Sequence, residues 1–286
     1  MLRRSSARSA ASGAPSPRRR RTQLAVATAA LAVGGSALFG IGQATAEHAV
    51  PRTDREIPNI DQVKEKIEAY YGDIETEEGE HYASPRSNYA HQVRGIAARA
   101  QRRLAAQLTE RGDAGAHAAK GRKHDKKPAI VLDVDDTVLL TYNFELQIGY
   151  NFDEDAQDAY LRTTDMDPVF GMRHLVNWAH DKGVEVFFLT GRKEHQRDWS
   201  VRNLKNVGFT NPVDRAHFYL KDEENPPPYL ECGTECNTIE YKSGTRAHIE
   251  DQGYEILANF GDQYSDLKGG HAAHTVKLPN PMYYLP

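Results

Sequence analysis

Three features of the 286-residue sequence predict an α/β fold: a central parallel sheet with helices on both faces. Consecutive apolar residues at 129–132 and 184–189, bounded by polar ones, read as strands buried on both sides, the habit of parallel sheets. Segments with helical spacing alternate with these runs, as βα units require. Polar and acidic clusters stand where the runs stop, and open α/β sheets bind their ligands at the carboxyl ends of their strands.

The N-terminus reads as a processing segment. Residues 1–21 carry seven arginines and no acid, residues 24–41 are apolar and rich in Ala and Gly, and Ala44-Thr45-Ala46 follows. Basic region, apolar region and small-residue site make residues 1–46 a signal peptide cleaved after Ala46. The competing reading is a membrane anchor, disfavoured because the run is only weakly hydrophobic. Arg20-Arg21 keeps the twin-arginine route open beside the Sec route. Without residues 1–46 the chain has 29 basic and 40 acidic residues, a net charge of −11. Such a surface disfavours nucleic-acid polymers as partners. A small phosphorylated ligand in a local cationic pocket stays compatible with it.

Residues 47–111 are expected to form a helical arm. Ile60, Val63, Ile67 and Tyr70 share one helical face, 73–80 is an acidic loop, and 88–111 is a longer helix with Val93, Ile96, Ala97, Ala100, Leu104 and Leu108 in its stripe. Residues 112–125, non-periodic Gly, Ala, His and Lys, read as a flexible linker. The main domain is then 126–286.

Within that domain the first strand runs into Asp133, Asp135 and Asp136. Strand alternation points Asp133 and Asp135 one way and Asp136 the other. Adjacent carboxylates repel unless a cation stands between them, which suggests a divalent metal. The competing reading is a helix cap at Asp136 or Thr137. Tyr142 and Phe144 then open an aromatic segment able to stack on a substrate ring or to pack over the sheet. Asp165 and Asp167 before Pro168 read as capping a helix over 169–182. A second strand ends in Thr190-Gly191-Arg192, where a hydroxyl and backbone amides can meet phosphate oxygens. A third, short strand covers 217–220. Cys232 and Cys236 are the only cysteines, and in an exported chain so close a pair is expected to form a disulfide. Lys242 is placed at a helix start, as a point charge for an anion. A fourth strand, 254–260, delivers Asp262 and Asp266, so that two strand ends offer the oxygen ligands a hard cation takes. A last strand spans 274–278.

Taken in order, DVDDTV, FFLTGR, YKSGTR and GDQYSD resemble the four motifs of the haloacid dehalogenase (HAD) superfamily. The resemblance is nearest to subfamily IIIB, the branch of class B acid phosphatases and plant vegetative storage proteins. It implies a Rossmann-like HAD fold, with a small insertion after the first motif, and a Mg²⁺-dependent phosphomonoesterase. By that resemblance Asp133 is the nucleophile and Asp135 the general acid and base. Asp133, Asp135 (through its carbonyl) and Asp262 hold Mg²⁺, with Asp266 supporting them. Thr190, Gly191 and Lys242 bind the phosphoryl group. Tyr142 and Phe144 are expected at the substrate, favouring nucleotides or aryl phosphates. The alternatives are a non-catalytic storage or binding protein on the same scaffold and a phosphotransferase to alcohol acceptors. Oligomeric state is not legible.

Overall fold

The computed structural model describes residues 50–117 and 126–285. The signal segment at 1–46 and the second half of the expected linker, 118–125, lie outside them. Residues 50–56 contain one 3-10 turn, Asp54–Glu56, closed by the Arg52 N–H donating to Glu56 at 3.1 Å. They belong to a unit separate from Ile57–Pro286.

That larger unit begins with α1, Ile60–Tyr71. Asn59 caps it by accepting from the Asp61 and Gln62 amides, and Gly72, in the left-handed region at φ 64°, ends it. Only Ile67 and Tyr71 are buried, whereas Ile60 and Val63 are exposed, so the inward face is narrower than the periodicity suggests. The acidic loop folds into a small antiparallel hairpin, β1 (Ile74–Glu75) with β2 (His81–Tyr82). Helix α2, Asn88–His117, buries Tyr89, Val93, Ala97, Ala100 and Leu104. It continues six residues into the stretch read as a linker: the glycines at 112 and 115 weaken a helix, but no proline stands in 112–117 to break it.

The sheet has five parallel strands: β3 (Lys127–Leu132), β4 (Glu185–Lys193), β5 (Phe218–Lys221), β6 (Tyr254–Gly261) and β7 (Thr275–Lys277), in spatial order β5-β4-β3-β6-β7. Between β3 and β4 lie α3 (Tyr142–Gln147), α4 (Glu154–Thr163) and α5 (Met172–Asp181). Helix α6 (Arg197–Asn206) follows β4, α7 (Thr238–Asp251) follows β5, and the single turn α8 (Tyr264–Leu267) follows β6. Pleat alternation splits the core in two. Ile130 and Leu132 face a cluster shared with Tyr71, Tyr89, Leu104 and Leu175. Ala129 and Val131 face a smaller cluster with Tyr241 and Ile249 of α7. The N-terminal helices therefore share the main core of the sheet.

Three local expectations need correction. Pro168 is not in a helical first turn; it bridges to Leu139, and α5 starts only at Met172. Asp165 accepts from Arg202 Nε (3.1 Å) and Asn206 Nδ2 (2.6 Å), tying down α6. Lys242 is not at a helix start, because α7 begins at Thr238, where Asn237 and Glu240 form a reciprocal cap. Cys232 and Cys236 are joined in a disulfide just before α7, with Cα atoms 5.0 Å apart.

Candidate active site

At the carboxyl ends of β3, β4 and β6 the chain leaves a cavity of about 430 Å³. Asp133 is the first residue past β3, and its amide donates to the Phe260 carbonyl at 3.0 Å, which holds it against β6. From β6 come Asp262 and Asp266. Gly261 makes that turn possible, since a Cβ at this position would overlap the Asp266 side chain. Asp266 Oδ2 accepts from the Gln263 amide at 2.9 Å, and Gln263 Nε2 donates to Asp262 Oδ2 at 2.7 Å. Asp133, Asp262 and Asp266 are all buried and bring one carboxylate oxygen each within 4.8 Å of one another.

Lys242, in the second turn of α7, stands among them, with Nζ 2.5 Å from Asp133 Oδ1 and 2.5 Å from Asp266 Oδ1. Burial alone would lower the lysine; the two carboxylates instead hold it well above its usual range. Burial pushes Asp133 up strongly, Lys242 pulls against that, and Asp266 and Asp262 add to it. Asp262 is pushed up to about 7 by burial and by its neighbours Asp266 and Asp136. One turn beyond Lys242, buried Arg246 donates to the carbonyls of Asp266 (2.7 Å), Lys268 and Gly270 (2.9 Å), so α7 is fastened to the loop it serves. When ionised, the three buried carboxylates outnumber the one ammonium by two charges. Hard oxygen donors with that surplus fit a divalent cation.

Asp135 also lines the cavity and is held in a fork by Arg192, with Nε 2.9 Å from Oδ2 and Nη2 2.6 Å from Oδ1. Arg192 is anchored in turn on Ser200 Oγ at 2.9 Å. Asp136 faces away from the cavity, as expected, though not by strand alternation: β3 has ended, and Asp136 sits in the left-handed region at φ 53°. It caps no helix following β3. Its carboxylate accepts from Thr141 Oγ1 (2.6 Å) and Tyr283 OH (2.8 Å), and burial pushes it up to about 7. Thr190 and Gly191 also line the cavity; both lie within β4, which runs on to Lys193.

Tyr142 and Phe144 are not at the cavity, contrary to expectation. Tyr142 stacks on Tyr71 at 4.5 Å between ring centroids and donates to Asp73 at 3.0 Å. Phe144 packs on Tyr160 in the core. The aromatic rim consists of Phe152 and Tyr284, which are 61% and 73% exposed. Sequence reading also missed the C-terminal tail. Asn280 Nδ2 donates to Asp262 Oδ2 at 2.8 Å, and Tyr283 reaches Asp136. The only signal for this was an unusual density of aromatic residues in a Pro-rich ending.

The chain is similar to known proteins over part of its length. Vegetative storage protein 1 of Arabidopsis thaliana is 30% identical over 168 residues, 57% of this chain and 58% of its own. Acid phosphatase 1 of Solanum lycopersicum is 33% identical over 165 residues, 56% of this chain and 60% of its own. The chain thus spans about 60% of the length of these relatives. The class C acid phosphatase from Bacillus anthracis aligns in three dimensions with a TM-score of 0.47 at 22% identity, over 68% of this chain and 80% of that one. A model of the HAD superfamily, subfamily IIIB (acid phosphatase), matches residues 52–286, and the chain belongs to that family.

Proposed function

We propose that the protein is an exported, Mg²⁺-dependent acid phosphatase that hydrolyses small phosphomonoesters through an aspartyl-phosphate. Asp133 attacks phosphorus and forms the new P–O bond as the ester bond breaks. Asp135, steadied by Arg192, gives its proton to the departing alcohol oxygen. It then takes a proton from the water that displaces Asp133 and releases inorganic phosphate. Thr190, Gly191 and Lys242 hold the phosphoryl oxygens in place. Asp133, Asp262 and the carbonyl of Asp135 would hold Mg²⁺, with Asp266 orienting them; when bound, the ion neutralises charge developing on the phosphoryl group.

One observation carries this reading: Lys242 stands between Asp133 and Asp266, beside Asp262, at a cavity that Asp135 and Thr190 also line. The exposed rings of Phe152 and Tyr284 support a preference for aryl phosphates or nucleotides. The signal-like segment at 1–46 and the Cys232–Cys236 bond support export to an oxidising compartment. Among the described residues no helix is long and apolar enough to cross a membrane. The test is Mg²⁺-dependent release of phosphate from p-nitrophenyl phosphate by the full chain. Asp133→Asn is expected to abolish it, and undiminished turnover in that variant would remove the nucleophile assignment.

A further inference from the structure

Glu145 has no role in the scheme above, yet it lines the same cavity. It sits on α3 with only 4% of its surface exposed. Its backbone is engaged, with the amide donating to the Thr141 carbonyl and its own carbonyl accepting from Tyr150. Its carboxyl makes no hydrogen bond or ion pair to another described residue. Three donors that line the cavity are committed elsewhere: Thr141 gives its hydroxyl to Asp136, Arg192 serves Asp135 and Ser200, and Gln196 serves Gln157 and Asp158. A carboxyl that opens onto the cavity without a protein partner can accept a hydrogen bond from a donor brought in by a ligand.

The position of Glu145 says which part of the ligand meets it. Besides burial, the charge that bears on Glu145 is Asp135, the group assigned to the leaving oxygen. Thr141, Phe152, Glu154 and Gln157, contributed like Glu145 by the segment between the first two strands of the sheet, also line the cavity. Lys242 and Thr190, which hold the phosphoryl group, belong to other elements. The segment of Glu145 therefore faces the alcohol half of an ester whose phosphorus sits at Asp133.

Resting on the phosphatase reading, we propose that Glu145 is a specificity-determining residue: its carboxyl group accepts a hydrogen bond from a hydroxyl or amine on the leaving group, close to the ester oxygen. Among alkyl phosphates, esters of polyols or amino alcohols are then preferred to those whose leaving group carries no donor. A site that hydrogen-bonds such a group discriminates against the analogue lacking it, because its own polar atom is left unpaired.

The experiment compares kcat/KM for 2-hydroxyethyl, 2-aminoethyl and propyl phosphates, near-isosteres that differ in the terminal group, with phenyl phosphate as reference. The wild-type protein is expected to favour at least one donor-bearing ester over propyl phosphate by about tenfold or more. In Glu145→Ala that ratio is expected to fall to near unity. In Glu145→Gln a hydroxyl preference is retained in part and an amine preference is lost. A wild-type ratio near unity, needing no variant to measure, would overturn the assignment, as would a ratio unchanged in Glu145→Ala. A uniform loss on all esters with the ratio preserved would make the residue structural and also overturn it. Hydrolysis of phenyl phosphate separates the two readings: with it present, a flat ratio removes only Glu145; with it absent, the phosphatase reading falls too.

Discussion

Lys242 and Asp133, 109 residues apart in the chain, meet at 2.5 Å with both side chains almost wholly buried. Because Asp266 lies equally close on the other side, the ammonium is what allows the carboxylates to converge. Lys242→Met is expected to lower kcat/KM for p-nitrophenyl phosphate by about 10²–10³ or more, as loss of a charge aimed at the reacting group does. It should also destabilise the fold by about 3–5 kcal/mol, since buried partners are left uncompensated. Steady-state kinetics and urea unfolding check both.

Arg192 holds Asp135 in a two-point fork, and a lysine cannot reproduce that geometry. Arg192→Lys is expected to reduce turnover of alkyl phosphates by about 10²-fold, the low end of a general acid's contribution. The loss should be smaller for p-nitrophenyl phosphate, whose leaving group needs little protonation. Equal losses on both esters would mean that Arg192 does not act through Asp135.

Glu145 gives a pH signature in stability. Burial first, and then Asp135, push its carboxyl up to about 7 from the ordinary 4.5. The folded state therefore holds a proton that the unfolded chain has released, and folding is favoured most below pH 4.5. That contribution is lost as pH rises through about 7. Melting temperatures measured in chelator are expected to fall less across this window in Glu145→Gln than in wild type.

Asn280 donates to Asp262 Oδ2 at 2.8 Å, fixing the orientation of a proposed metal ligand. Asn280→Ala is expected to weaken Mg²⁺ binding by about tenfold or more, as loss of such a supporting hydrogen bond does. Titration calorimetry reads this directly, and excess Mg²⁺ should restore much of the lost activity. Chelation of the wild-type protein should abolish turnover, reversibly.

The strands were legible because a parallel sheet buries both faces, so 129–132 and 184–189 stand out as unbroken apolar runs. Asp133, Thr190 and Asp262 were legible because each sits where a run stops. What failed depended on packing. Tyr142 and Phe144 follow the first motif closely, but Tyr71 and Tyr160 draw their rings inward, and no local pattern carries that information. Lys242 was placed a turn too early in its helix because Asn237, the true cap, follows an irregular cysteine loop. Arg192 had no role legible from the strand end it occupies, because its partner Asp135 lies 57 positions earlier.

The tail contacts have a kinetic consequence. Tyr283 reaches Asp136 across 147 positions and Thr137 reaches Asp262 across 125, whereas most of the helices form from neighbours. Contacts between distant segments are slow to form because a long loop must close first. After dilution from denaturant, far-ultraviolet ellipticity should recover first. The power to release phosphate should return in a later phase, when the last stretch of chain seats itself over the loop that carries Asp136.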